Sequence, residues 1–173
     1  TIVSMLFLYN PTVSLVLPAL ALGAAATVAM AVLLGGDVRL AGQPFGLNSF
    51  ILAAMLALAS GLVLLLGLGL NLYGVAHKFT QPDAFTRFAA SYGVRLTAGL
   101  VGCGLIVAGL IWAAVQGSEW LAGSANETAE AKRFVLVAFL GVAGLQTIVG
   151  AVFLSALAQD VREAIPPTET RAG

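Results

Sequence analysis

The sequence predicts an all-α, polytopic membrane protein: four transmembrane helices arranged as two hairpins joined by an amphipathic interfacial helix. Three observations predict it. Of 173 residues, 60% are hydrophobic and only 9% charged, whereas about a quarter of the residues in a soluble globular chain carry charge. All sixteen charged residues lie outside four uncharged stretches, 1–36, 40–77, 96–118 and 134–159. Each stretch exceeds the about 20 apolar residues that carry a helix across a hydrocarbon core, and none is long enough for two crossings. Residues 1–173 therefore read as a single four-span membrane domain, with almost nothing left over for a soluble one.

The spans are expected near Val13 to Leu34, Phe50 to Tyr73, Leu96 to Val115 and Phe134 to Leu157. The first is not read as a signal peptide, because no basic residue precedes Asp37 and a signal sequence opens on a positive segment. Short connections (35–49 and 116–133) close two hairpins, and the longer link 74–95 joins them. An even number of crossings puts both termini and this link on one face. That face holds Lys78, Arg87, Arg95, Arg162 and Arg171, against Arg39, Lys132 and Arg133 opposite. The positive-inside bias then favours a multi-pass protein of the inner membrane with both termini cytoplasmic. Asn126-Glu127-Thr128 has the form of a glycosylation acceptor, a triplet that arises often by chance.

Several function classes are excluded. Eight basic residues cancel eight acidic ones, so no strong field invites nucleic acid, and one cysteine builds neither a disulfide framework nor a thiolate metal cluster. The spans contain no Asp, Glu, Lys, Arg or His, which argues against a pump or a proton relay and against haem ligation. His77, at the edge of the second span, reads as an interfacial side chain. Cys103, between Gly102 and Gly104, reads as a small residue at a helix contact, its thiol protonated and inert in apolar surroundings. Ala98, Gly102 and Gly109, with Gly99 nearby, and Gly141 with Gly144 mark helix contacts, since lipid gives little drive for pairing and close backbone approach must supply it. Gln146 and Thr147 are the most polar neighbours within a span; an amide there has to face another helix or a bound polar group. Asn71 lies close enough to a span end to reach water. No catalytic residue and no metal site is read from these residues.

The link between the hairpins begins like a helix: Thr80 can cap, Asp83 completes a capping box and Pro82 suits the first turn. At 100° per residue Phe85, Phe88, Ala89 and Tyr92 share one face, and Asp83, Thr86 and Arg87 the other. Such a helix lies in the headgroup boundary with its aromatic face sunk and its basic face wet. Two readings stay open. The segment is a surface connector, or Lys78, Arg87 and Arg95 hold a lipid phosphate through charge-assisted bonds, which Arg can make two at a time.

Along nearly its whole length the chain resembles the C-terminal membrane domain of bacterial family-2 glycosyltransferases of the dolichyl-phosphate or polyprenyl-phosphate sugar synthase type. The resemblance rests on Met5-Leu6-Phe7-Leu8-Tyr9-Asn10-Pro11 leading into the first span, Leu17-Pro18-Ala19-Leu20 within it, and Asn48-Ser49-Phe50 opening the second. It continues through Gly61, the run from Leu70 to Gly74 with Tyr73, Pro82, Arg95 with Gly99-Leu100, Gly144-Leu145-Gln146 and Phe153-Leu154-Ser155. Two features depart from the pattern. Asn48 stands where the family typically carries a histidine, and no Asp or Glu occurs between Asp83 and Glu119, where relatives tend to place an acid before the third span.

The resemblance implies a transferase that moves a sugar from a nucleotide sugar to a membrane polyprenyl phosphate. Its metal-binding carboxylates would lie in an upstream catalytic domain, since these residues contain no Asp-x-Asp. The chain opens at Thr1 on an apolar run, and so it is expected to be a domain cut from a longer protein. It needs no cofactor of its own, a divalent metal being expected only in that upstream domain. Its expected partners are membrane lipid, polyprenyl phosphate and the catalytic domain. Two alternatives stay open: a free-standing flippase-like or accessory protein of lipid-linked sugar metabolism, and a structural subunit of a larger membrane assembly.

Overall fold

A computed structural model describes the backbone of residues 12–36, 38–40, 43–77, 79, 84–121 and 127–164, and side chains over 12–36, 45–77, 79, 86–89, 91–118 and 130–159. Four helices in it are long and apolar enough to cross a membrane. The first, α1 (Leu17–Leu34), continues a π-helical turn over Thr12–Val16. Pro18 sits in the opening turn of α1. A proline ring crowds the carbonyl four residues earlier, here that of Ser14, and the wider π turn gives it room. Two three-residue strands, β1 (Val38–Leu40) and β2 (Gln43–Phe45), then pair antiparallel, with Val38 opposite Phe45. This small ribbon lies where only a loop is expected from the sequence.

The second span is α2 (Leu47–Ala76); the interfacial helix is α3 (Ala84–Ala90); the third and fourth spans are α4 (Tyr92–Leu121) and α5 (Glu127–Ala164). All four spans form where the charge-free runs place them, and two, α4 and α5, outrun those runs. At about 1.5 Å per residue, the 30 residues of α4 reach about 45 Å, well past a hydrocarbon core of about 30 Å. Helical hydrogen bonding does not stop where the lipid does, so α5 carries Glu130, Lys132 and Arg133 in its own first turns.

Extended contacts run α1 to α2, α2 to α5 and α5 to α4. The two hairpins thus meet through their second members, with α1 and α4 on the flanks. At the ribbon end Met30, Leu33, Phe50, Ala53 and Ala54 form a buried cluster against Leu136 and Phe139. At the other end Leu72, Val75 and Leu154 form a second. Between 11% and 22% of each span's most apolar window is buried inside the protein. Many Leu and Val side chains, among them Leu62, Leu66, Leu100, Leu110, Val149 and Val152, are exposed, the surface of a helix whose solvent is hydrocarbon.

Glycines set the closest approach. A Cβ on Gly102 would stand 2.8 Å from the Gly144 carbonyl oxygen, and one on Gly144 would stand 2.6 Å from that of Gly102. The backbones of α4 and α5 therefore touch near mid-span, and no larger residue fits at either position. Gly109 continues this contact against Leu140 and Gly141. Cys103 does not belong to it, contrary to the expectation from its glycine neighbours: its side chain is exposed, because it lies about 100° around the helix from Gly102. Gln146 behaves as an intramembrane amide must. Its Nε2 donates to the Leu58 carbonyl at 3.3 Å, in space that a Cβ on Gly61 would fill.

Candidate functional site

The end of the bundle that carries α3 gathers the polar groups of interest. Asn71, on the last turns of α2, is buried rather than hydrated. Its Nδ2 donates to Thr12 Oγ1 at 2.8 Å, and its Oδ1 accepts from Thr86 Oγ1 at 3.1 Å. One amide thereby ties the start of the first span and the interfacial helix to α2. Thr86 is 2% exposed and Ala89 buried, so α3 rests on the bundle along the Thr86–Ala89 edge. The expected placement of Thr86 on the wet side is corrected accordingly: the hydroxyl has a protein partner, and that bond sets the helix rotation. Phe88, at 61% exposure, and Arg87 face outward.

The interfacial helix is also shorter than its periodicity suggests. Ser91 ends it, its Oγ accepting from the Val94 N–H at 3.4 Å as the N-cap of a new helix. Tyr92, 66% exposed, thus opens α4 instead of completing the aromatic face of α3. Around the end of α2, the His77 ring stacks on Tyr73 with centroids 4.0 Å apart and lies 6.1 Å from the Phe79 ring. Exposed aromatic rings at this level are the usual mark of the headgroup boundary.

Arg95 follows one turn into α4. It is 9% exposed, and its Nη1 donates to the Ser155 carbonyl of α5 at 3.3 Å. Its Nε is buried without a hydrogen-bond partner among the described residues, an arrangement that costs about 1–3 kcal/mol unless something outside the protein accepts the bond. Arg95 also lines a cavity of about 610 Å³ between α4 and α5, a size within the range of about 300–1,000 Å³ common to ligand sites. Leu96, Leu100, Ile148 and Val152 make its walls, and Tyr92, Ser155 and Gln159 add polar groups to the lining.

Of the three cations singled out from the sequence, Arg87 and Arg95 lie within the described residues at this end of the bundle, one exposed and one buried. Lys78 lies outside the described residues, as does the side chain of Phe85. Neither the Asn71 node nor the cavity was read from the sequence. Both depend on residues far apart in the chain, and the one available signal was an amide in a span that lipid cannot satisfy. Among the described residues no three His, Cys, Asp or Glu side chains gather as a metal site would require.

Comparison with known proteins agrees with this architecture. The family described as the glycosyltransferase family 2 C-terminal transmembrane region matches residues 68–158, which runs from the end of α2 through α3 and the α4–α5 hairpin and includes Arg95 and all but the last residue of the cavity wall. No curated protein and no solved structure matches the chain. With more than half of its length in that match and four apolar helices to cross the bilayer, the chain belongs to the glycosyltransferase family 2 C-terminal transmembrane region and is a multi-pass membrane domain of a glycosyltransferase.

Proposed function

We propose that this domain anchors a glycosyltransferase in the inner membrane and presents to it a polyprenyl phosphate, the acceptor of a sugar from a nucleotide donor. The α3 end of the bundle faces the cytoplasm in this reading, as the excess of Lys78, Arg87, Arg95, Arg162 and Arg171 on that face favours. An upstream catalytic domain would meet the lipid phosphate there and would supply the carboxylates for any divalent metal.

The observation that carries the proposal is Arg95: a cation nearly removed from solvent, one turn into α4, with one donor satisfied by Ser155 and Nε buried without a partner among the described residues. A phosphate oxygen would satisfy that donor, and bonds between ionised partners are about twice as strong as neutral ones. Arg87, exposed on α3, and Lys78 would add charge at the mouth and act by neutralising the phosphate, with no part in bond making. Phe85, Phe88 and Tyr92 would hold the mouth at headgroup depth.

The test is lipid loading of the chain in nanodiscs. Replacing Lys78, Arg87 and Arg95 together by Gln should abolish retention of farnesyl phosphate while the helical circular dichroism is unchanged. Retention equal to the unmodified chain would refute the phosphate role.

A further inference from the structure

We infer that the cavity between α4 and α5 seats the head-proximal stretch of one apolar chain, and only that stretch. The inference rests on the reading of this domain as a holder of polyprenyl phosphate and adds to it where the tail lies and how much of it the protein grips. Arg95, more than nine-tenths buried and with Nε unpartnered among the described residues, fixes the anionic end. From there the wall runs along α4 from Tyr92 to Cys103 and along α5 from Gln159 back to Ile148. Each run spans about 16 Å at the helical rise, about half of a 30 Å hydrocarbon core.

The far end is closed by the same glycine contact that joins the helices. Gly102 and Gly144 bring the two backbones together, and Ile148 packs against Gly102, so a chain entering at Arg95 meets the crossing at mid-span. The long side stays open to lipid, where Leu96, Leu100 and Val152 are half or more exposed. A longer tail therefore leaves the groove sideways into the bilayer. Charge decides the occupant: a purely apolar neighbour, a second copy of a lipid-facing helix included, would leave the Arg95 Nε without an acceptor. A single slot also suits one prenyl chain under one phosphate better than the two chains of a phospholipid.

Gly99 provides the means to fill the slot. It lines the cavity one turn beyond Arg95, and a Cβ built on it meets nothing within 4 Å. Gly99→Leu therefore enters the groove with a Cβ that meets no protein atom. Gly104, equally open but absent from the wall, gives the matched control. Binding of geranyl, farnesyl, geranylgeranyl and undecaprenyl phosphate would be measured in phosphatidylcholine nanodiscs at equal mole fraction in the bilayer, with phosphatidylglycerol as competitor and the mass of the assembly recorded.

Affinity should rise with chain length to a plateau by geranylgeranyl phosphate. Gly99→Leu should lower the geranylgeranyl phosphate affinity by about tenfold, as overfilling a packed slot does, and Gly104→Leu should leave it unchanged. Affinity still climbing to undecaprenyl phosphate, no effect of Gly99→Leu, or equal competition by phosphatidylglycerol would overturn the seat. An oligomer that Gly99→Leu converts to monomers would overturn it in favour of a second copy. If Arg95→Gln abolishes binding while Gly99→Leu does not, the seat fails and the phosphate role stands. If Arg95→Gln is silent, the phosphate role fails with it.

Discussion

Two buried cations close the two ends of the α4–α5 hairpin, and they differ in what they touch. Lys132, 7% exposed, donates from Nζ to the Leu33 carbonyl at 3.1 Å. Leu33 lies in the last turn of α1, where carbonyls lack helical partners and the helix dipole favours a cation. Arg95, about as deeply buried, leaves Nε open beside a cavity. Desolvating a charge is costly in either place. At Lys132 the cost is offset within the fold, which marks a fastening between α5 and α1. At Arg95 it is offset only in part among the described residues, and on the proposed reading a phosphate supplies the rest. Depth of burial does not distinguish the two cations; the completeness of their hydrogen bonding does.

Substituting each cation is the strongest way to break this contrast. Arg95→Gln should weaken farnesyl phosphate binding by about ten- to a hundredfold, the range expected for hydrogen bonds to charged groups, with no fall in melting temperature. Lys132→Met should do the reverse, lowering stability by about 1.5–3 kcal/mol in thermal unfolding in detergent and leaving lipid binding intact. A common response from both variants would erase the distinction.

Neutral polar contacts sharpen it on a smaller scale. Asn71→Ala strips Thr12 and Thr86 of a shared partner and should cost about 1–2 kcal/mol. Hydrogen exchange should quicken over residues 84–90 and stay slow across α5. Gln146→Met removes one interhelical bond within the span and should cost about 0.6 kcal/mol, the mean for such bonds in bilayers; a loss as large as that of Lys132 would place the main fastening at mid-span instead.

Much of the fold was legible in the sequence because hydrocarbon excludes charge so strongly. Runs bounded by Asp37, Arg39, Lys78, Arg95, Glu119, Arg133 and Asp160 could only be spans, and Gly102 with Gly144 could be read as a contact because lipid supplies no other drive for pairing. Helix ends were less legible: Lys132 and Arg133 bound the apolar run but not the helix, which continues through them. Helix order was not legible at all, since four faces of Leu, Val and Ala offer no distinguishing partner until the backbone positions them.

The site divides in the same way. Arg95 stood out as a cation beside an aromatic link, but its burial depends on two things that a pass along the chain does not expose. Ser91 caps a new helix and moves Arg95 from the link onto α4, and the Ser155 carbonyl then faces it from the neighbouring span. Thr86 lies on the inner side, against its place in the aromatic periodicity, where its hydroxyl bonds to Asn71 across the fold.

On the proposed reading a phosphate-headed prenyl chain lies between α4 and α5 with its head at Arg95. Photocrosslinking with a diazirine-bearing farnesyl phosphate in nanodiscs, followed by peptide mapping, tests it most directly. Adducts confined to residues 92–103 and 148–159, and lost in Arg95→Gln, are the expected result. Adducts spread evenly over the lipid-facing surfaces of all four spans, or concentrated on α1 and α2, would contradict it.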